Sequence, residues 1–140
     1  MRVMILVKAT EASEAGAPPS RELLEAMGRY NEELLNAGVL ISGEGLKPTR
    51  YGKRMRFDGD GRTLAEGPFA PVSEQVAGFW LWQVRDLAEA EEWLKRCPNP
   101  MPVPSEVEIR PLYEAADFVE MMPEEVAVLE QEIRDRRDDR

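Results

Sequence analysis

The chain of 140 residues contains no histidine, a single cysteine and no long apolar run. Without histidine, the Ser-His-Asp and Cys-His nucleophile arrangements are excluded, as is every metal site that needs an imidazole. One cysteine, Cys97, cannot close an internal disulfide, so a reducing compartment is expected. No stretch approaches the ~18 apolar residues of a membrane span, and the opening MRVMILVKAT lacks the cleavage region of a secretory signal. A cytoplasmic protein that does not engage membranes is therefore expected. Acidic side chains outnumber basic ones, 27 to 18. The formal net charge of −9 argues against nucleic acid as a partner, because Lys and Arg supply most of that affinity. No cluster has metal-ligand spacing, and Gly43-Glu44-Gly45 lacks the third glycine and following helix of a phosphate cradle, so no cofactor or metal is expected.

What is present points to one domain. Hydrophobic residues make up 43% and charged residues 32%, a balance that supports a packed core without staples. The acidity is concentrated: residues 114–140 carry ten acidic and four basic side chains, net −6, while the remainder carries 17 and 14, net −3. A body of residues 1–118 followed by an acidic helical tail of 119–140 is the expected organisation.

Residues 2–9, RVMILVKA, are apolar on both alternating faces and predict a central strand. TEASEAGAPPS reads as a loop, and Ser20 as the cap of a helix over 21–37 that Gly38 ends. VLISGEGL at 39–46 predicts a strand whose glycines mark a bulge or a close approach to the backbone. The DGDG at 58–61 predicts a hairpin between 50–57 and 62–66. VAGFWLWQV at 76–84 is the most strand-like run, Asp86 with Glu89 opens a helix over 87–97, and EVEIR at 106–110 gives a last strand. Pro123 with Glu124 and Glu125 opens a terminal helix with a thin stripe of Val126, Leu129 and Ile133.

The order β-α-β, hairpin, β-α-β predicts an α+β, ferredoxin-like fold with an antiparallel sheet and helices on one face. The other face must then carry large apolar side chains from the first strand and the Trp80–Trp82 strand. Covering them by pairing sheet to sheet predicts a homodimer.

Several carboxylates and cations are candidates for chemistry. Glu66 opens the Gly67-Pro68-Phe69 loop, and Glu44 lies between two glycines that leave room for a ligand. Either is a candidate proton carrier, the alternatives being a loop-fixing carboxylate and an exposed strand-end residue. Arg54 suits bidentate recognition of an anionic group, with a solvated hairpin face as the alternative. Arg110, beside Ile109 on what reads as an inner strand, is placed to pair with Glu44 or Glu66, and Lys8 ends the first strand toward the same cleft. Phe69, with Phe79, Trp80 and Trp82, is a candidate lining residue, aromatic core or interface being the alternative.

These segments together carry a family likeness. MRVMILVKA, AGVLISGEGL at 37–46, EGPFAPVSEQVAGFWLWQV at 66–84, DLAEAEEWLKRCPNP at 86–100 and VEIRP at 107–111 resemble the YCII-related proteins, specifically the branch named for its DGPF motif. The likeness covers roughly residues 1–118 and implies a ferredoxin-like domain that dimerises through its sheets as a dimeric α+β barrel. Glu66 stands where the motif has aspartate, and Ala70-Pro71-Val72-Ser73-Glu74 replaces the frequent AETKE continuation. Relatives in the wider group are proposed to use a His-Asp pair, and one eliminates HCl from a chlorinated aromatic; a chain without histidine lacks that pair. The expected function is binding of a small polar or anionic metabolite near the Glu66–Phe69 loop, with proton transfer of lyase or isomerase type. The alternative is a non-catalytic accessory protein, since some relatives are encoded beside or fused to extracytoplasmic-function sigma factors.

Overall fold

A computed structural model describes residues 1–119 and 121–140. The first strand, β1 (Arg2–Lys8), alternates buried Val3, Ile5 and Val7 with half-buried neighbours. Its flanks are β5 (Val76–Gln83) on one side and β6 (Val107–Pro111) on the other, both antiparallel to it. The edge strand β2 (Leu40–Gly45) pairs with β5, giving the order β2-β5-β1-β6. That is the order of two interleaved β-α-β units, the ferredoxin-like α+β arrangement expected from the element sequence.

Local signals set most element ends. The Ser20 hydroxyl accepts the Leu23 N–H (3.1 Å) at the start of α2 (Arg21–Asn36). At its other end Gly38 takes φ +73°, Gly38 N–H donates to Leu35 C=O and Val39 N–H to Leu34 C=O, closing a Schellman motif. Asp86 caps α3 (Leu87–Lys95) by accepting the Glu89 N–H at 2.9 Å. Glu89 in turn reaches one residue beyond the expected box, to the Arg85 N–H, and α3 stops at Lys95, so Cys97 lies in the turn after it. The segment read as loop contains one helical turn, α1 (Glu11–Glu14), because Thr10 and Ser13 cap each other reciprocally.

α2 and α3 pack on the face of the sheet that carries Val3, Ile5, Trp80 and Trp82. The Tyr30 hydroxyl donates to the Trp93 carbonyl (2.6 Å) and ties α2 to α3. The opposite face presents Met4 and Leu6 beside their register partners Leu81 and Phe79, all partly buried. So the tryptophans go inward, and it is the residues alternating with them that leave an apolar patch on the uncovered face. The hairpin strands β3 (Lys53–Asp58) and β4 (Gly61–Glu66) form a separate two-stranded sheet turning at Gly59-Asp60, and every residue in them is exposed. Residues 50 and 51, read as the start of a strand, belong to a 3-10 turn over Thr49–Tyr51 instead.

After β6 the chain makes a single turn, α4 (Ala115–Phe118), and then α5 (Glu124–Asp138), which has no buried residue. Glu114 anchors this return. Its two carboxylate oxygens accept Arg2 Nε (3.1 Å) and Nη2 (3.0 Å). Hydrogen bonding to Arg2 holds the Glu114 carboxyl below its ordinary value. A depressed carboxyl stabilises the fold above its unfolded pKa, and that contribution disappears as pH falls through the lower folded value. Glu114→Gln is therefore expected to be less stable than wild type at pH 7, by up to about 1 kcal/mol for so exposed a pair. The gap should close on acidification below ~pH 4, which urea titrations at several pH values will show. A gap independent of pH would mean the ion pair contributes nothing.

Candidate functional site

A cavity of about 940 Å³ opens between α2 and the β2–β5 edge of the sheet. Leu23, Met27 and Asn31 border it from the helix, and Gly43 and Trp80 from the sheet. The two proline-containing loops, 16–20 and 99–102, make its rim. Gly43 is required by its neighbour: a Cβ there would lie 2.5 Å from Trp80 Cδ1. The indole thus lies against the β2 backbone, and its N–H donates to Asn31 Oδ1 at 2.8 Å. Close approach to a strand glycine was expected, and it is Trp80 that makes it. Gly45, with nothing within 4 Å of its would-be Cβ, leaves open space beside it.

The Glu66-Gly67-Pro68-Phe69 loop braces the wall of this cavity. A Cβ on Gly67 would fall 1.7 Å from the Thr49 carbonyl oxygen, so only glycine lets the loop seat on the 49–51 turn. Gly67 N–H donates to Gly52 C=O (3.1 Å), and Phe69 N–H to the Thr49 hydroxyl oxygen (3.0 Å). Thr49 donates its hydroxyl to the Glu14 carboxylate, which also accepts the Thr49 N–H at 3.0 Å. Arg50 donates to the Glu14 carbonyl (2.9 Å). Ser13 and Gly16, on either side of Glu14, border the cavity. The peptide bonds Gly67–Pro68 and Ala70–Pro71 are cis.

The candidate residues are dispersed. Glu66 ends β4 with its side chain 75% exposed and its carboxylate 3.5 Å from Lys53 Nζ, and it does not border the cavity. Glu44 does border it, from the edge strand, and pairs in register with Phe79 of the uncovered face. Arg54 and Phe69 do come together: the guanidinium lies 4.0 Å from the ring centroid, and its Nη2 donates to Gln75 Oε1 at 2.9 Å. Gln75 is buried, and its amide donates to the Pro71 carbonyl (3.0 Å), so Arg54 helps hold the loop. Lys8 ends β1 with its N–H on Glu106 C=O. The strand carrying Arg110 is an edge strand rather than an inner one; Arg110 pairs with Glu108 at 2.8 Å, and β1 and β5 separate it from Glu44. Alternation around Ile109 could not reveal which strand lay outermost.

Trp82 is fully buried core, whereas Phe79, on the alternate face of β5, borders the cavity at its β2 edge. Burial pushes the Cys97 thiol up to about 11, so it stays protonated and unreactive near neutrality. Among the described residues no group of three His, Cys, Asp or Glu side chains could hold a metal, and no helix is long and apolar enough to cross a membrane. Asn31 and the two loop rims were not legible as site residues; their only signal was the pair of proline-containing loops flanking β-α-β units.

An antiparallel ferredoxin-like sheet with helices on one face and a side cavity at its β2 edge defines the class. The chain belongs to the YCII-related domain family, whose sequence profile matches residues 1–116. An uncharacterized protein of Rhizobium meliloti (strain 1021) is 32% identical over 92 residues, 66% of this chain and 71% of that protein. The matched family region ends within α4, so α5 lies beyond it.

Proposed function

We propose that the protein binds a small, largely apolar organic molecule in the cavity between α2 and the β2–β5 edge. The observation that carries this reading is the lining: apolar and aromatic side chains with Asn31 as an inward polar group, the usual make-up of a small-molecule pocket. Among the described residues Glu44 is the one charged residue bordering the cavity, so the ligand is neutral or weakly basic rather than the anion expected from the hairpin arginines. Glu44 is the candidate proton carrier left at the rim of the cavity, its register with Phe79 turning it toward the uncovered face, while Glu66 pairs with Lys53 at the exposed end of the hairpin. Met4, Leu6, Phe79 and Leu81 favour a homodimer stacked through the uncovered faces. The competing reading, an accessory protein without a ligand, is favoured by the exposure of Glu66 and its pairing with Lys53.

A thermal-shift comparison of indole, phenol and benzoate tests the choice. A neutral probe at a hundred times its dissociation constant stabilises by roughly 2.7 kcal/mol, a rise of roughly 10 °C for a domain of this size. Leu23→Trp, which fills the cavity from α2, should abolish the rise. A shift with benzoate alone, lost in Arg54→Gln, would move the site to the hairpin. No shift with any probe would favour the accessory reading.

A further inference from the structure

The free edge of β2 runs along the cavity. The four-stranded sheet has no strand beyond β2, so alternate residues of β2 turn their backbone N–H and C=O away from β5. The register identifies them. Glu44 lies opposite Phe79, and the Leu46 N–H donates to the Ala77 carbonyl at 2.8 Å, so Ser42, Glu44 and Leu46 carry the bonds to β5. Gly43 and Gly45 alternate with them and face outward. Among the described residues neither glycine has another backbone partner.

Glu44 and Phe79 border the cavity from one face of the sheet, and Leu23, Met27 and Asn31 from the α2 side, so the void crosses the edge between them. The Trp80 indole covers Gly43, whereas nothing lies within 4 Å of a Cβ built at Gly45. Gly45 therefore presents a donor and an acceptor, side by side, to a cavity that is otherwise mostly apolar. An apolar molecule filling that space would strip water from both groups and replace neither hydrogen bond, which is unfavourable. A neutral molecule with an adjacent N–H and C=O pairs with both. An extended peptide offers the same groups, but the free run is too short for one. A register shift between Leu40 and Ser42 interrupts it at one end, and Pro48 follows the strand at the other.

We propose that the molecule taken by the cavity is a small, neutral, planar carboxamide or lactam. Its carbonyl oxygen accepts the Gly45 N–H, and its own N–H donates to the Gly45 C=O. This rests on the cavity as the binding site and names the class of ligand that site takes. The absence of a side chain at Gly45 lets a flat ring reach the backbone from the α2 side, with the Trp80 indole beside it over Gly43.

Flat probes of similar size test it by NMR titration of the full chain: the lactam carbostyril carries both groups, coumarin the carbonyl alone and indole the N–H alone. Carbostyril is expected to bind about tenfold tighter than either of the others. It should also slow hydrogen exchange at the Gly45 amide and leave that of Leu46, already bonded to Ala77, unchanged. Gly45→Pro deletes an N–H that the ladder does not use, at an edge position where proline is tolerated, so the fold should survive. This variant should bind carbostyril and coumarin about fivefold to tenfold more weakly and affect indole least. The exchange measurement needs no variant and holds even where proline disturbs the strand. Equal affinities for the three probes, each shifting the Trp80 signal, would overturn the amide assignment and leave the cavity standing. No shift with any probe would remove both. Protection of Gly45 by an acetylated alanine tripeptide amide, and not by carbostyril, would overturn the proposal in favour of an added strand.

Discussion

Gly67→Ala is expected to unfold at a markedly lower urea concentration than wild type, with a loss of about 3 kcal/mol. The methyl would lie 1.7 Å from the Thr49 carbonyl oxygen, and the obstacle is backbone rather than a flexible side chain. Either the 67–71 loop or the 49–51 turn must move. Overpacking of this kind costs about 1–3 kcal/mol. The shift also breaks the Gly67–Gly52 and Phe69–Thr49 hydrogen bonds, each contributing about 1 kcal/mol. Thr49→Val is the informative companion. It deletes the hydroxyl that links Phe69 to Glu14 without adding a clash, and should lose about 1–2 kcal/mol. Glu66→Gln should change stability by less than about 1 kcal/mol, because it removes only an exposed pair with Lys53. A Gly67→Ala protein as stable as wild type would contradict the seating of the loop on the turn.

The second large effect lies in the core. Trp82 is fully buried on β5, between β1 and β2, and Trp82→Ala is expected to cost about 3–5 kcal/mol. Its indole N–H is buried with no partner among the described residues, unlike that of Trp80. An unsatisfied buried donor costs about 1–3 kcal/mol, so its removal offsets part of the lost packing. Trp82→Phe should therefore cost much less, under about 2 kcal/mol. Trp80→Phe, which strands the Asn31 oxygen and removes cavity wall, has no such offset. Chemical unfolding of the three variants checks the order Trp82→Ala, Trp80→Phe, Trp82→Phe, from most to least destabilised. Equal losses for the two phenylalanine variants would mean the orphan donor has no energetic consequence.

Much of this fold was legible because its signals are local. Ser20 and Gly38 bracket α2, Asp86 opens α3, and Asp58-Gly59-Asp60-Gly61 closes the hairpin, all through contacts within a few residues. The order of elements then limited the topology. The bracing of the cavity was not legible, because it depends on pairs far apart in sequence: Glu14 with Thr49 across 35 residues, and Thr49 with Phe69 across 20. Periodicity marked Glu66 and Glu44 equally as carboxylates near glycines; only the fold separates the one that stabilises an exposed hairpin end from the one at the cavity rim. The cavity rim is loop, and loops carry no hydrophobic period by which a wall can be recognised. Strand alternation also could not assign β6 to an edge, which left Arg110 with the wrong expected partners.

The most direct measurement of the central claim is a proton–nitrogen NMR titration of the full chain with indole or phenol, following the side-chain N–H signals of its three tryptophans. Only Trp80 borders the cavity, and its N–H is held by Asn31 on the facing wall. The expected result is a saturable shift of the Trp80 signal together with the amides of Gly43, Gly45 and residues 16–20, while the Trp82 signal stays in place. Shifts confined to Lys53, Arg54 and Glu66, with Trp80 unmoved, would place the ligand on the hairpin and contradict the assignment of the cavity as the binding site.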